Sequence, residues 1–151
     1  MDATIAKLIQ ANELDIYLGQ VGKDDLENVI AKTGCALPDD YITFLTSVGF
    51  AFWTGHAING IYEENDERFP KSYNFSVITQ TMRTRQKYSD CHYFNYNNSM
   101  VIGKDDMGGF FLLISADIPT SHRVLWINYD DEWIITDRWV TFADFLNSQL
   151  P

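Results

Sequence analysis

Residues 37–49, LPDDYITFLTSVG, organise this chain. Pro38 fixes φ and needs no helical donor, which suits the first turn of a helix, and Asp39 and Asp40 place negative charge at its positive end. Tyr41, Phe44, Leu45 and Val48 recur at i, i+3, i+4 and i+7, so four large side chains share one stripe. Gly49 can adopt the left-handed conformation that ends a helix. Start, face and stop agree on a short amphipathic helix docked on a core, which hands the chain to the aromatic run Phe50, Phe52, Trp53.

Upstream, Lys23 to Thr33 reads as a second helix. Asp24, Asp25 and Glu27 lie in its first half, Leu26, Val29 and Ile30 on one face, and Gly34 at its end. Ala3, Ile5, Leu8 and Ile9 point to a short opening helix, whereas Leu14 to Leu18 alternates too poorly to assign. Downstream, Phe50–Trp53 and Ala57–Tyr62 predict two strands separated by Thr54, Gly55 and His56. Glu63 to Ser72 breaks all periodicity and reads as an exposed acidic loop; Ser76 to Lys87 has helical spacing; Asp90 to Ser99 reads as loop.

The last third predicts sheet. Met100–Ile102 and Phe110–Ile114 flank a turn rich in Asp and Gly, Val124–Tyr129 and Trp133–Thr136 flank Asp130, Asp131 and Glu132, and these are two consecutive hairpins. Thr141 with Asp144 resembles a capping box ahead of Phe142, Phe145 and Leu146, so the chain closes on a short helix. Strands joined by hairpin turns argue an antiparallel sheet. The expected class is α+β: a single domain over residues 1–151, its sheet flanked by N-terminal helices, one mid-chain helix and a C-terminal helix.

Composition limits the function. The 151 residues suffice for one core, and 46% apolar content excludes a disordered chain. Twenty-one acidic residues against 11 basic leave −10, which repels a phosphate backbone, so nucleic acid is not an expected partner. No apolar run is long enough to cross a membrane, and the N-terminus lacks a secretory apolar block. Two cysteines without framework spacing point to the cytoplasm.

Catalytic patterns are weak. His56, His92 and His122 lack ligand spacing, and Cys91 and His92 are adjacent, which on an extended chain points them apart. Cys35 reads as a small buried hydrophobe. Asp105 and Asp106 before Gly108 and Gly109 lack a calcium loop's alternating ligands, and Asp130, Asp131 and Glu132 at a hairpin tip are too solvated for paired-acid chemistry. No catalytic residue, metal ligand or cofactor site is therefore expected. Four tryptophans and eight tyrosines serve core packing first. Aromatics beside carboxylates also form the kind of face that holds a basic protein, rings anchoring while charge steers.

The ordered set of signals resembles the SUKH superfamily of Knr/Smi-like domains. The likeness is carried by the helix ending in Gly34; by Leu37, Pro38, Asp40, Tyr41, Phe44, Leu45 and Gly49; by Ile58, Gly60 and Ile61; by Val101, Ile102, Gly103, Asp105 and Gly109; and by Phe142, Asp144, Phe145 and Leu146. The resemblance implies an α+β domain without cofactor or catalysis. For most bacterial members it also implies an immunity protein of a polymorphic toxin system, which neutralises a cognate toxin, often a nuclease. The alternative is a regulatory or scaffolding interaction module. Candidate toxin contacts are Trp53, Tyr62, Glu63, Glu64, Asp66 and Glu67 on one side and Asp105, Asp106, Asp130, Asp131 and Glu132 at the turns. The expected state is a monomer or weak homodimer, since exposed sheet edges can pair.

Overall fold

The computed structural model describes residues 3, 6, 15–17, 21–48, 50–53, 56–61, 76–89, 98–129 and 133–149, with the side chains of 15–17, 50–53, 56, 129 and 133 outside that description. Among the described residues four helices have set bounds, α1 (Lys23–Thr33), α2 (Asp39–Ser47), α3 (Val77–Lys87) and α4 (Phe142–Gln149); Ala3 and Ala6 are also helical, and the rest of the expected opening helix lies outside the described residues. Among the described residues there are seven strands, β1 (Asp15–Tyr17), β2 (Phe50–Trp53), β3 (His56–Ile58), β4 (Ser99–Asp105), β5 (Phe110–Ile114), β6 (Val124–Tyr129) and β7 (Trp133–Trp139). Every neighbouring pair is antiparallel, in the order β1-β2-β3-β4-β5-β6-β7. The α+β class is as the sequence predicts.

Local signals place the helices. α1 begins at Gly22, whose N–H donates to the Asp25 carboxylate at 2.9 Å, and ends at Gly34 with φ 73°. Pro38, at φ −64°, is the cap residue of α2 rather than part of its first turn. At the other end Val48 caps in a right-handed conformation; the stop expected at Gly49 lies outside the described residues. Ser76 accepts from Thr79 N–H at 3.2 Å to start α3, and Thr141 accepts from Asp144 N–H at 3.0 Å to start α4.

α1, α2 and α4 pack on one face of the sheet. Val29, Tyr41, Phe44, Leu45, Phe142, Phe145 and Leu146 join Met100, Ile102, Phe111, Leu113 and Val124 in one buried cluster. Rings run through it in series: Tyr41 to Phe142 at 4.9 Å, Phe142 to Phe145 at 5.9 Å, and Phe145 to Phe111 at 4.9 Å and to Trp139 at 5.0 Å. Asp40 fastens the two helix starts together. One carboxylate oxygen accepts from its neighbour Tyr41 N–H and the other from Ala143 N–H, both at 2.9 Å, satisfying a first-turn donor of α4 from 103 residues away. On the opposite face Val101, Leu112 and Ile127 form a smaller cluster.

Tyr41 carries a cost within this core. Its hydroxyl is buried with no hydrogen-bond partner among the described residues, and burial pushes the phenol pKa upward. An unsatisfied buried hydroxyl costs about 1–3 kcal/mol, so Tyr41→Phe is expected to preserve or raise stability, by about 1 kcal/mol. Urea denaturation checks this; a loss above about 1 kcal/mol would mean that the hydroxyl has a partner.

Several strand expectations are corrected. The strand from Ala57 ends at Ile58 rather than Tyr62: Asn59 N–H still donates to the Ile102 carbonyl at 2.7 Å, in register with β3, but its side-chain amide reaches the Val101 carbonyl at 3.2 Å and Gly60 leaves β4 to bridge to Ser76 in parallel. His56 belongs to β3, Ser99 belongs to β4, and β4 runs on through Asp105. β7 extends to Trp139, beyond Thr136, because it skips one residue against β6: Trp126 pairs with Asp137 and Ile127 with Ile135, leaving Thr136 as a bulge. β1, unassigned from sequence, pairs with β2 along its three residues.

β3 covers only Gly103–Asp105 of β4, and α3 with Asn59 serves the rest. Thr81 accepts from Val101 N–H at 2.9 Å, and the buried Arg85 donates to the Ser99 carbonyl at 2.9 Å. Backbone groups that a missing strand would otherwise leave open are thus satisfied by side chains.

Candidate functional site

The strand order fixes where the connections lie. β2, β4 and β6 run in one direction, so the connections that leave them, β2–β3, β4–β5 and β6–β7, all emerge at the same end of the sheet. Alternate strands are about 10 Å apart, so the strand ends from which these connections leave form a row about 20 Å long. Trp53 and Asp105 end β2 and β4 in this row, Asp106 follows in the β4–β5 turn, and the stretch 130–132 follows β6 in sequence. The chain leaves β3 towards Tyr62, Glu63, Glu64, Asp66 and Glu67 from the opposite end. Those five residues and Asp130, Asp131 and Glu132 lie outside the described residues, as does the Trp53 side chain.

Asp105 is the centre of the β4–β5 turn. Oδ1 accepts from Met107 N–H at 2.8 Å and from Gly109 N–H at 2.7 Å, while Oδ2 accepts from the Trp126 indole at 2.7 Å. The Asp105 N–H in turn donates to the Gly109 carbonyl at 3.1 Å. The residue is 8% exposed, so its carboxylate shapes the turn from inside. Asp106 and Met107 are exposed, Gly108 sits at φ 86°, and Gly109 is buried against Asp105, Asn128 and Trp126. A side chain at 109 would collide with all three, which explains the glycine. Sequence reading placed both aspartates at a turn; that one is buried and its neighbour exposed depends on Trp126, 21 residues on.

A second clamp shapes the opposite end. Ser115 Oγ accepts from Ala36 N–H at 2.8 Å, and Ala116 N–H donates to the Ala36 carbonyl at 3.0 Å. The Arg123 guanidinium donates to the Ser115 carbonyl and, at 3.0 Å, to that of Ile118. These bonds fasten the β5–β6 connection to the segment between α1 and α2; sequence reading had no signal for them.

Cys35 is fully buried beneath α1, 3.6 Å from the Arg85 guanidinium. Burial pushes its thiol pKa up, with Arg85 opposing, and a buried thiol of raised pKa packs rather than attacks. His122 is half-buried beside Ser121, whose hydroxyl lies 3.2 Å from Nδ1. The His56 side chain, Cys91 and His92 lie outside the described residues, among which no three His, Cys, Asp or Glu side chains are grouped to hold a metal ion. Among those residues, too, no helix is long and apolar enough to cross a membrane.

A sheet backed by helices on one face, with alternate strands finishing at one end of it and a buried carboxylate shaping the β4–β5 turn there, defines an α+β domain. The chain belongs to the SMI1 / KNR4 family (SUKH-1), whose model matches residues 20–148. A search of curated proteins matches none of them to this chain.

Proposed function

We propose that this chain is a non-catalytic immunity protein that binds and neutralises a cognate toxin in the cytoplasm of the producing bacterial cell. The toxin domain is basic, a nuclease being the chemistry that fits best, because a site that grips nucleic acid must be cationic and an acidic protein can occupy it. Membership of SUKH-1 and the charge of −10 are both consistent with this. The observation that carries it is the gathering of the β2–β3, β4–β5 and β6–β7 connections at one end of the sheet. The contact set is Trp53, Asp106, Asp130, Asp131 and Glu132 along this row, with Asp105 behind them and with Tyr62, Glu63, Glu64, Asp66 and Glu67 as a second segment. Self-protection needs nanomolar binding, about −12 kcal/mol, which calls for apolar anchors as well as charge.

Expressing this chain beside the toxin encoded next to it is expected to restore growth. Reversing Asp106, Asp130, Asp131 and Glu132 to lysine should weaken the complex about 100-fold, mostly by slowing association, and added salt should blunt the difference. Reversing the exposed Asp24 and Glu27 on α1 should leave affinity unchanged. Absence of rescue by the wild-type chain rejects the proposal; equal weakening by the α1 reversals rejects this face.

A further inference from the structure

The β4–β5 tip exposes a side chain that the charge argument leaves unused. Met107 is 86% exposed, against 60% for Val140 and 54% for Ile134, the next most exposed of the large apolar residues described. A single exposed apolar side chain is ordinary. What distinguishes this one is its support. The Met107 amide and the Gly109 amide share one buried carboxylate oxygen, the other oxygen is held by Trp126, and Gly109 is walled in by Asp105, Asn128 and Trp126. Around Gly108 there is open space: nothing lies within 4 Å of an added Cβ. The backbone of the tip is therefore fixed from within, while Asp106 and Met107 project outward.

We propose that Met107 is the apolar anchor of this face, entering an apolar pocket on the partner protein whose rim carries a cation to meet Asp106. This rests on the binding reading above and names the contact within it. A turn ordered before the partner arrives loses little freedom on binding, and an unbranched thioether adapts to the shape of a pocket. Burying a methionine that starts out 86% exposed is worth about 10–100-fold in affinity.

The test uses the full chain and the toxin domain encoded beside it, titrated by calorimetry. Met107→Ser is expected to weaken binding about 10–100-fold with an unchanged melting temperature, and Met107→Leu to stay within about threefold of wild type. Met82→Ser, at an exposed methionine on α3, serves as the remote control and is expected to bind as wild type. In the free protein, amides 107 and 109 should show order parameters of about 0.85, as in rigid backbone. Wild-type affinity in Met107→Ser overturns the anchor while the binding reading stands. Equal loss in Met82→Ser, or a tip with order parameters below about 0.6, also overturns it. Failure of the wild-type chain to bind rejects both.

Discussion

Gly103→Ala is expected to destabilise this protein by about 3 kcal/mol or more, a large fraction of the 5–15 kcal/mol that holds a typical domain together. An added Cβ would lie 2.2 Å from the Ala57 carbonyl oxygen and 3.2 Å from Phe111 Cδ2. Neither neighbour can give way cheaply. Ala57 belongs to β3, a strand of three residues whose pairing with β4 would be broken by moving it. Phe111 is fully buried and packs against Trp126 at 5.6 Å and Phe145 at 4.9 Å. The glycine also follows the β4 bulge, where Val101 pairs with Leu112 and Gly103 with Phe111, so Ile102 is the extra residue. Gly108→Ala is the control: its φ of 86° strains an alanine by about 1 kcal/mol, but the space around it is open. Thermal melts should fall by about 6–12 °C for the first and about 2–4 °C for the second. Equal losses would contradict the close approach of β3 and β4.

Asp105→Ala should cost about 2–4 kcal/mol. It removes the acceptor of three donors, of which Met107 N–H can turn to water while the Gly109 amide is buried and the Trp126 indole is half-buried. Stranding a buried donor costs about 1–3 kcal/mol. Asp105→Asn keeps one acceptor oxygen and the side-chain shape, so about half of that loss is expected. Trp126 emission should shift in the alanine variant, and exchange at the Gly109 amide should quicken before global unfolding. A stability change under about 0.5 kcal/mol in Asp105→Ala would refute the role given to this carboxylate.

These two residues also mark where sequence reading stops. Helices are legible because their signals are local: α1 follows from acids in its first half, an apolar face and the terminator Gly34, and α3 from helical spacing alone. β5 and β6 were legible because they are short apolar runs bounded by turn residues. β7 runs past the expected end at Thr136 through Asp137 and Arg138, both exposed, as side chains of a strand at the rim of a sheet can be. The strand from Ala57 is expected too long because nothing in Asn59 announces that its side-chain amide reaches the Val101 carbonyl beside the β4 bulge. Asp40 was read for its charge at the start of α2; its bond to Ala143 joins positions 103 apart.

The sequence alone determined the class, the places of the four bounded helices, the two hairpins, the acidic balance and a resemblance that the family match over residues 20–148 supports. Only the tertiary structure decided which turns share an end of the sheet, that Asp105 faces inward while Asp106 and Met107 face out, and that Gly103 has no room for a side chain. Caps and periodic faces act over a few residues and leave their mark in the order of the letters. Strand neighbours, bulges and the burial of one carboxylate depend on partners dozens of residues away, and no local pattern records which partner the folded chain will supply.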